Sequence, residues 1–385
     1  MHKHLAITFL LFGVALVIYL IPIYRNTVAF FTDEMYWIST ANTVHLLQNR
    51  DTKNPLWREN YGFTNFNGAK YVYGVGLLLF GHRDVRITGT APQTYYRWIS
   101  FEPMPFPIDH AAFSLVIHAR IISAVITALA ISLLYPLGIL IGLPALSAAL
   151  ATILFGMHPI VTHVATHAFS DGILLLWQMI LLLSLFWHRR SWGNFAAIGI
   201  ALGMLVSTKI NGLLFLPIIA FLMAYALNKK SGFPYRKYGA ALGVTVFSCL
   251  LVFLILHPNF FFYPEYGPLA QFRDRVLITD EHVAYFSRVN PAHVLLSPQS
   301  RIASLVHHVF PMWLTGAAIL SLIIFLWNAR YRTVSQKQLL FLASGAVVTA
   351  SVLSYCVFNE PRYYLPIVPF VMLGIGFGIQ QLHRS

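Results

Sequence analysis

The chain has 385 residues, of which 57% are hydrophobic and 10% charged, and its mean hydropathy of +0.66 excludes an ordinary soluble globular protein. The composition instead predicts an all-α polytopic integral membrane protein. A formal net charge of +13 does not point to nucleic acid, because basic residues at the cytoplasmic ends of membrane helices produce such a balance unaided.

Apolar runs in chain order predict about ten transmembrane helices, near 5–23, 112–141, 144–158, 168–187, 194–209, 211–228, 238–257, 306–328, 338–357 and 363–380. The first run follows the basic start Met1-His2-Lys3-His4. The segment after it, Tyr24-Arg25-Asn26-Thr27, has no small-x-small cleavage site, so the run reads as a retained helix. Short polar hinges leave room for some of the runs to be half-spans. Lys229-Lys230, Arg236-Lys237 and Arg330-Tyr331-Arg332 fall in alternate loops, which predicts an even number of spans with both termini cytoplasmic. Cys249 and Cys356 lie inside apolar runs and offer neither a disulfide framework nor metal-ligand spacing.

Two outer loops are long, about 24–111 and 258–305, and both are polar and aromatic. The first is expected to open with a juxtamembrane helix from Thr32, as N-cap, to about Gln48, with Asp33 and Glu34 in its first turn. It then holds a polar segment, Asn49–Asn67, an apolar piece, Tyr71–Phe80, and a Pro-rich return, Phe101–Pro107. Loops of this length in a compact protein are usually functional. The expected organisation is one polytopic domain over 1–385, without a separate soluble domain.

The informative residues are charges at the outer ends of spans, against the positive-inside pattern. They are the cations Arg120, Lys209 and Arg362 and the carboxylates Asp33, Glu34 and Asp171. A charge at membrane depth is a functional-site hypothesis by default, the alternative being a side chain that snorkels to the interface. Six on one face predict a shared site. Cations there suit the phosphate of a lipid-linked donor, and a carboxylate beside them suits a general base acting on a hydroxyl or amine.

These residues sit in a series of short motifs. Asp33-Glu34 follows the first helix, and Ala119-Arg120-Ile121-Ile122-Ser123-Ala124 opens the second. His158-Pro159 precedes Ser170-Asp171, Thr208-Lys209-Ile210-Asn211-Gly212 follows, and Arg362-Tyr363-Tyr364-Leu365-Pro366 comes late. In order and sidedness the series resembles the GT-C type membrane glycosyltransferases, in the group of protein O-mannosyltransferases and lipid A aminoarabinose transferases. The resemblance implies Asp33 as catalytic base, with Glu34 beside it and Asp171 as a second site acid. It places Lys209 and Arg362 on the donor phosphate, with Arg120 nearby. It implies a polyprenyl-phosphate-sugar donor, an inverting transfer outside a membrane, expected to be a bacterial plasma membrane, and an acceptor that is a protein, lipid or glycan. Such relatives commonly continue into further spans or a C-terminal domain, whereas this chain stops after its last helix, which leaves the acceptor open.

Two other constellations compete. His163, His167 and Asp171 recur every four residues and would share one face if 159–171 were helical, making His163 and His167 candidate ligands of a divalent metal. His110 and His307-His308 are weaker candidates. Thr279-Asp280-Glu281-His282 repeats the Thr-Asp-Glu sequence in the second outer loop and could instead be the catalytic pair, the alternative being a solvated loop or a helix cap. Outside enzymes, a lipid-linked saccharide transporter or a non-catalytic membrane partner remains an alternative. A transporter is expected to show two related halves with interrupted helices, and no such symmetry is visible.

Overall fold

The computed structural model describes residues 2–28, 31–54, 57, 66–83, 85, 110–187, 191–220, 235–263, 265, 267–311, 314–316, 318–321, 323 and 335–382. The Pro-rich return, most of Asn49–Asn67, and the basic clusters at 229–230 and 330–332 lie outside them, as do the side chains of His110, Arg236 and Lys237.

The described residues form helices, and their only extended pairing is an isolated bridge between Val294 and Phe358. In chain order the helices are α1 His2–Tyr24, α2 Thr32–Thr40, α3 Thr43–Gln48, α4 Asn67–Leu79, α5 His110–Ser132, α6 Leu134–Leu140, α7 Ala145–Gly156 and α8 Pro159–Thr166. They continue with α9 Ser170–Phe186, α10 Trp192–Thr208, α11 Tyr235–Leu256, α12 Asn259–Phe262, α13 Pro268–Val289, α14 Pro298–Val309, α15 Gln336–Tyr355 and α16 Val368–Leu382. Tight turns of 3-10 helix at Ile210–Phe215 and Pro361–Ile367 precede further helix.

The expected apolar runs are helical where they are described, parts of 211–228 and 306–328 lying outside the described residues, and the count of ten spans is not confirmed. Five helices are long and apolar enough to cross a membrane among the described residues, or up to seven if each of two bent pairs is one span. The first pair, α7 and α8, bends by 60° where Pro159 opens the second helix. Helices α9 and α10 are 17 residues each, about 25 Å long and short of the hydrocarbon thickness.

Close helix contacts follow from small residues. Gly199 and Gly203, four apart on α10, face α11, where a Cβ on Gly203 would stand 2.7 Å from the carbonyl oxygen of Cys249. Outward faces stay apolar: Phe9, Leu10 and Val17 on α1 and Phe247, Leu250 and Ile255 on α11 are exposed, as suits lipid contact.

The outer loops are more helical than their composition suggests. The helix expected from Thr32 to Gln48 breaks at Ala41-Asn42 into α2 and α3, and its N-cap is Phe31 rather than Thr32. The break lets both pieces pack on α4, whose Gly74 lies against Ala41 and Val44. In the second loop the polar stretch folds into the 22-residue helix α13. Thr279 lies in its middle, with its hydroxyl donating to the carbonyl of Arg275 at 2.9 Å, so it caps nothing.

Candidate functional site

The site is assembled at the start of α2. Phe31 is extended, at φ −118° and ψ 133°, and its N–H donates to Glu34 Oε2 at 3.0 Å. Glu34 reaches Arg120 on α5 as a two-pronged pair, with Nε to Oε1 at 2.8 Å and Nη2 to Oε2 at 2.7 Å. Neither side chain has any exposed surface. Glu34 Oε1 also accepts the N–H of Ala168 at 2.9 Å, and Arg120 Nη1 donates to the Val28 carbonyl at 3.1 Å. One carboxylate therefore ties α2, α5 and the turn between α8 and α9 together.

Asp33, one residue earlier, faces elsewhere. Its Oδ2 lies 2.5 Å from Arg362 Nη2, with the Asp33 side chain 28% exposed and that of Arg362 only 7%. Pro361 starts the tight turn that holds Arg362 in place. The guanidinium packs over the rings of Phe31, Phe169 and Tyr363, at 5.5, 4.8 and 5.8 Å from their centroids. Glu360 Oε2 stands 3.7 Å from Arg362 Nε, beyond hydrogen-bond reach.

Asp171 lies in the first turn of α9, and Lys209 caps α10 with an extended backbone. Lys209 Nζ donates to Asp171 Oδ1 at 2.8 Å, while Asp171 Oδ2 is buried without a hydrogen-bond partner. Lys209 Nζ also lies 5.1 Å from the centroid of the Tyr363 ring that Arg362 covers, so the two cations share one aromatic neighbour. The structure thus gathers Asp33, Asp171, Lys209 and Arg362 and sets Glu34 and Arg120 behind them as a sealed pair.

The histidine series does not keep its expected geometry. Helix α8 ends at Thr166 and His167 is extended, at φ −120° and ψ 153°, so Asp171 belongs to the next helix and to Lys209. His167 Nδ1 lies 2.8 Å from the His163 carbonyl oxygen, and the two rings are 4.3 Å apart. Among the described residues no group of three or more His, Cys, Asp or Glu is placed to hold a metal ion. His308 Nε2 lies instead 3.0 Å from Asn359 Oδ1.

Two features escaped the sequence reading. Helix α13 places Arg275 and His282 two turns apart on one face. Burial lowers the His282 pKa, helped by Arg275 and opposed by Glu281 and Asp33, which puts this helix within electrostatic reach of the site. Gly267-Pro268 before it and Asn290-Pro291 after it are the sequence signals that bound it. The second is Lys70 on α4, fully buried, with Nζ donating to Asn67 Oδ1 at 3.0 Å. Asn67 in turn donates to Asn259 Oδ1 at 3.0 Å and to the Leu256 carbonyl at 3.1 Å. Burial pushes the Lys70 ammonium down to about 7, and His257 beside it down to about 3.

The helical fold is similar to that of two solved structures. Residues 103–265 match the family model described as dolichyl-phosphate-mannose-protein mannosyltransferase. Among solved structures the chain is similar to the Saccharomyces cerevisiae protein O-mannosyltransferase Pmt1-Pmt2 complex bound to the sugar donor. There the TM-score is 0.50 at 18% identity, over 69% of this chain and 34% of that one. It is also similar to ArnT from Cupriavidus metallidurans bound to undecaprenyl phosphate, with a TM-score of 0.57 at 15% identity, over 98% of this chain and 60% of that one. The chain therefore spans about a third and three-fifths of these two relatives. No curated protein sequence matches it.

Proposed function

We propose that the protein is a glycosyltransferase that takes a sugar from a polyprenyl-phosphate-linked donor and passes it to an acceptor on the extracytoplasmic side of the membrane. The observation that carries this reading is the pairing of a partly exposed carboxylate, Asp33, with a buried arginine, Arg362, beside a second carboxylate–cation pair, Asp171 and Lys209. The family match, the sugar donor named for the yeast complex and the undecaprenyl phosphate named for ArnT support the same substrate class.

In this reading the acceptor hydroxyl or amine attacks the anomeric carbon while Asp33 takes its proton. The bond between that carbon and the phosphate oxygen breaks, and its electron pair leaves on the phosphate. Arg362 and Lys209 stabilise the charge that develops there. A single displacement inverts the anomeric centre. Glu34 and Arg120 act on the reaction only by holding the start of α2 in place.

The test is purified protein incubated with a panel of polyprenyl-phosphate sugars and scored for released polyprenyl phosphate. Turnover of at least one donor by the wild type, lost in Asp33→Asn, supports the reading. Passage of intact donor across proteoliposome membranes without release would favour a lipid-linked saccharide transporter, and neither outcome would favour a non-catalytic membrane partner.

A further inference from the structure

Arg362 can grip a phosphate with two oxygens through the edge formed by Nε and Nη2. Its flat faces are covered by Phe31, Phe169 and Tyr363. Nε is buried and has no hydrogen-bond partner, since Glu360 stands off at 3.7 Å. Nη2, the other half of the same edge, is held by Asp33. Asp33 is the more exposed member of this pair. Its side chain is four times as exposed as that of Arg362, whereas Glu34 beside it is held by four hydrogen bonds from Phe31, Arg120 and Ala168.

We propose that Asp33 and the donor phosphate compete for Arg362, so that arrival of the phosphate displaces Asp33 and frees it to act as base. This inference rests on the proposed function and adds to it a coupling between donor binding and activation of the base. The exchange makes and breaks only ion pairs: phosphate oxygens take Nη2 and the Nε that makes no hydrogen bond, and the Asp33 carboxylate turns toward the space where an acceptor would lie. Before the phosphate arrives, the ion pair with Arg362 occupies Asp33 Oδ2. The coupling is reciprocal, so removing the Asp33 charge must strengthen phosphate binding by the factor that the phosphate weakens the Asp33–Arg362 pair.

The test is equilibrium binding of undecaprenyl phosphate, without sugar, to the full chain in phosphatidylcholine nanodiscs. Wild type, Asp33→Asn, Asp33→Ser, Arg362→Ala and the double variant Asp33→Asn/Arg362→Ala are compared. Both Asp33 variants are expected to bind about tenfold tighter than wild type, the scale of one charge-assisted hydrogen bond. Arg362→Ala is expected to bind about tenfold weaker, and the double variant to match Arg362→Ala, since the gain exists only through Arg362. Asp33→Ser keeps the test open if Asp33→Asn fails to fold. Wild-type binding with equal or weaker binding by the Asp33 variants overturns the competition and leaves the proposed function standing. Absence of binding by wild type and Asp33 variants alike overturns both.

Discussion

Glu34 and Arg120 form a two-pronged ion pair, at 2.8 and 2.7 Å, in which neither side chain is exposed. Two full charges buried together gain little over a well-packed apolar pair, but breaking the pair from one side strands the other charge. Glu34→Gln or Arg120→Leu is therefore expected to lower stability by about 3–5 kcal/mol. The joint change Glu34→Met/Arg120→Leu is expected to regain most of that loss. Thermal unfolding of the four proteins in detergent checks this. Equal melting of Glu34→Gln and wild type would show that the pair does not hold α2 in place.

Lys70 makes stability depend on pH. Its ammonium falls from a usual value of 10.5 to about 7 on burial. Between those values the unfolded chain holds a proton that the folded protein has released, so the Lys70 contribution makes stability rise with pH over that window. Below about pH 7 the folded protein carries the charge at its full desolvation cost. Denaturation midpoints measured from pH 7 to pH 9 are expected to climb in wild type and to climb less in Lys70→Met. Parallel profiles in the two proteins would show that Lys70 keeps an ordinary pKa.

Sidedness is open to a direct measurement. Leu269 on α13 is 86% exposed, and Lys337 at the start of α15 is exposed in a stretch read as cytoplasmic. With Cys249 and Cys356 replaced by serine, Leu269→Cys in intact cells is expected to react with an impermeant maleimide. Lys337→Cys is expected to react only after lysis. Labelling of Lys337→Cys from outside would invert the topology and put the site on the other face.

The apolar runs and the charged residues at their ends were legible in the sequence because a charge at membrane depth is costly and therefore informative. In the structure Asp33 pairs with Arg362 and Asp171 with Lys209, and both cations lie by the Tyr363 ring. How the charges pair was not legible. Nothing in the adjacency of Asp33 and Glu34 says that one turns inward to Arg120 and the other toward Arg362, because that depends on Phe31 ending the extended segment before α2. The lengths of the helices were less legible: α9 and α10 are 17 residues each, and α7 and α8 meet at 60° across Pro159, the end of the run read as 144–158. Regular spacing misled for His163, His167 and Asp171, since the chain leaves the helix at His167. Helix α13 was hidden by its polarity: its inner face carries Gln271, Arg275 and His282, so no apolar stripe marks it.

The same distinction between neighbours sets the last expectation. Asp33 is the acid that meets Arg362 with part of its surface exposed, so it is the carboxylate of the pair that an acceptor can reach. Asp33→Asn keeps the size of the side chain and can still accept a hydrogen bond from Arg362, but it cannot take a proton from the acceptor. A positioned general base contributes about 10²–10⁴-fold in rate, so turnover is expected to fall on that scale while expression and melting temperature hold. Donor binding should not fall with it, because the variant removes a competitor of the phosphate rather than a ligand to it. Asp280 lies exposed in the middle of α13, and Asp280→Asn is expected to leave turnover within about twofold of wild type, as for a surface substitution away from special features. Single-turnover rates for the two variants with a donor that the wild type uses decide between them. If Asp33→Asn turns over normally and Asp280→Asn does not, the base belongs to α13 and the Asp33–Arg362 pair is structural.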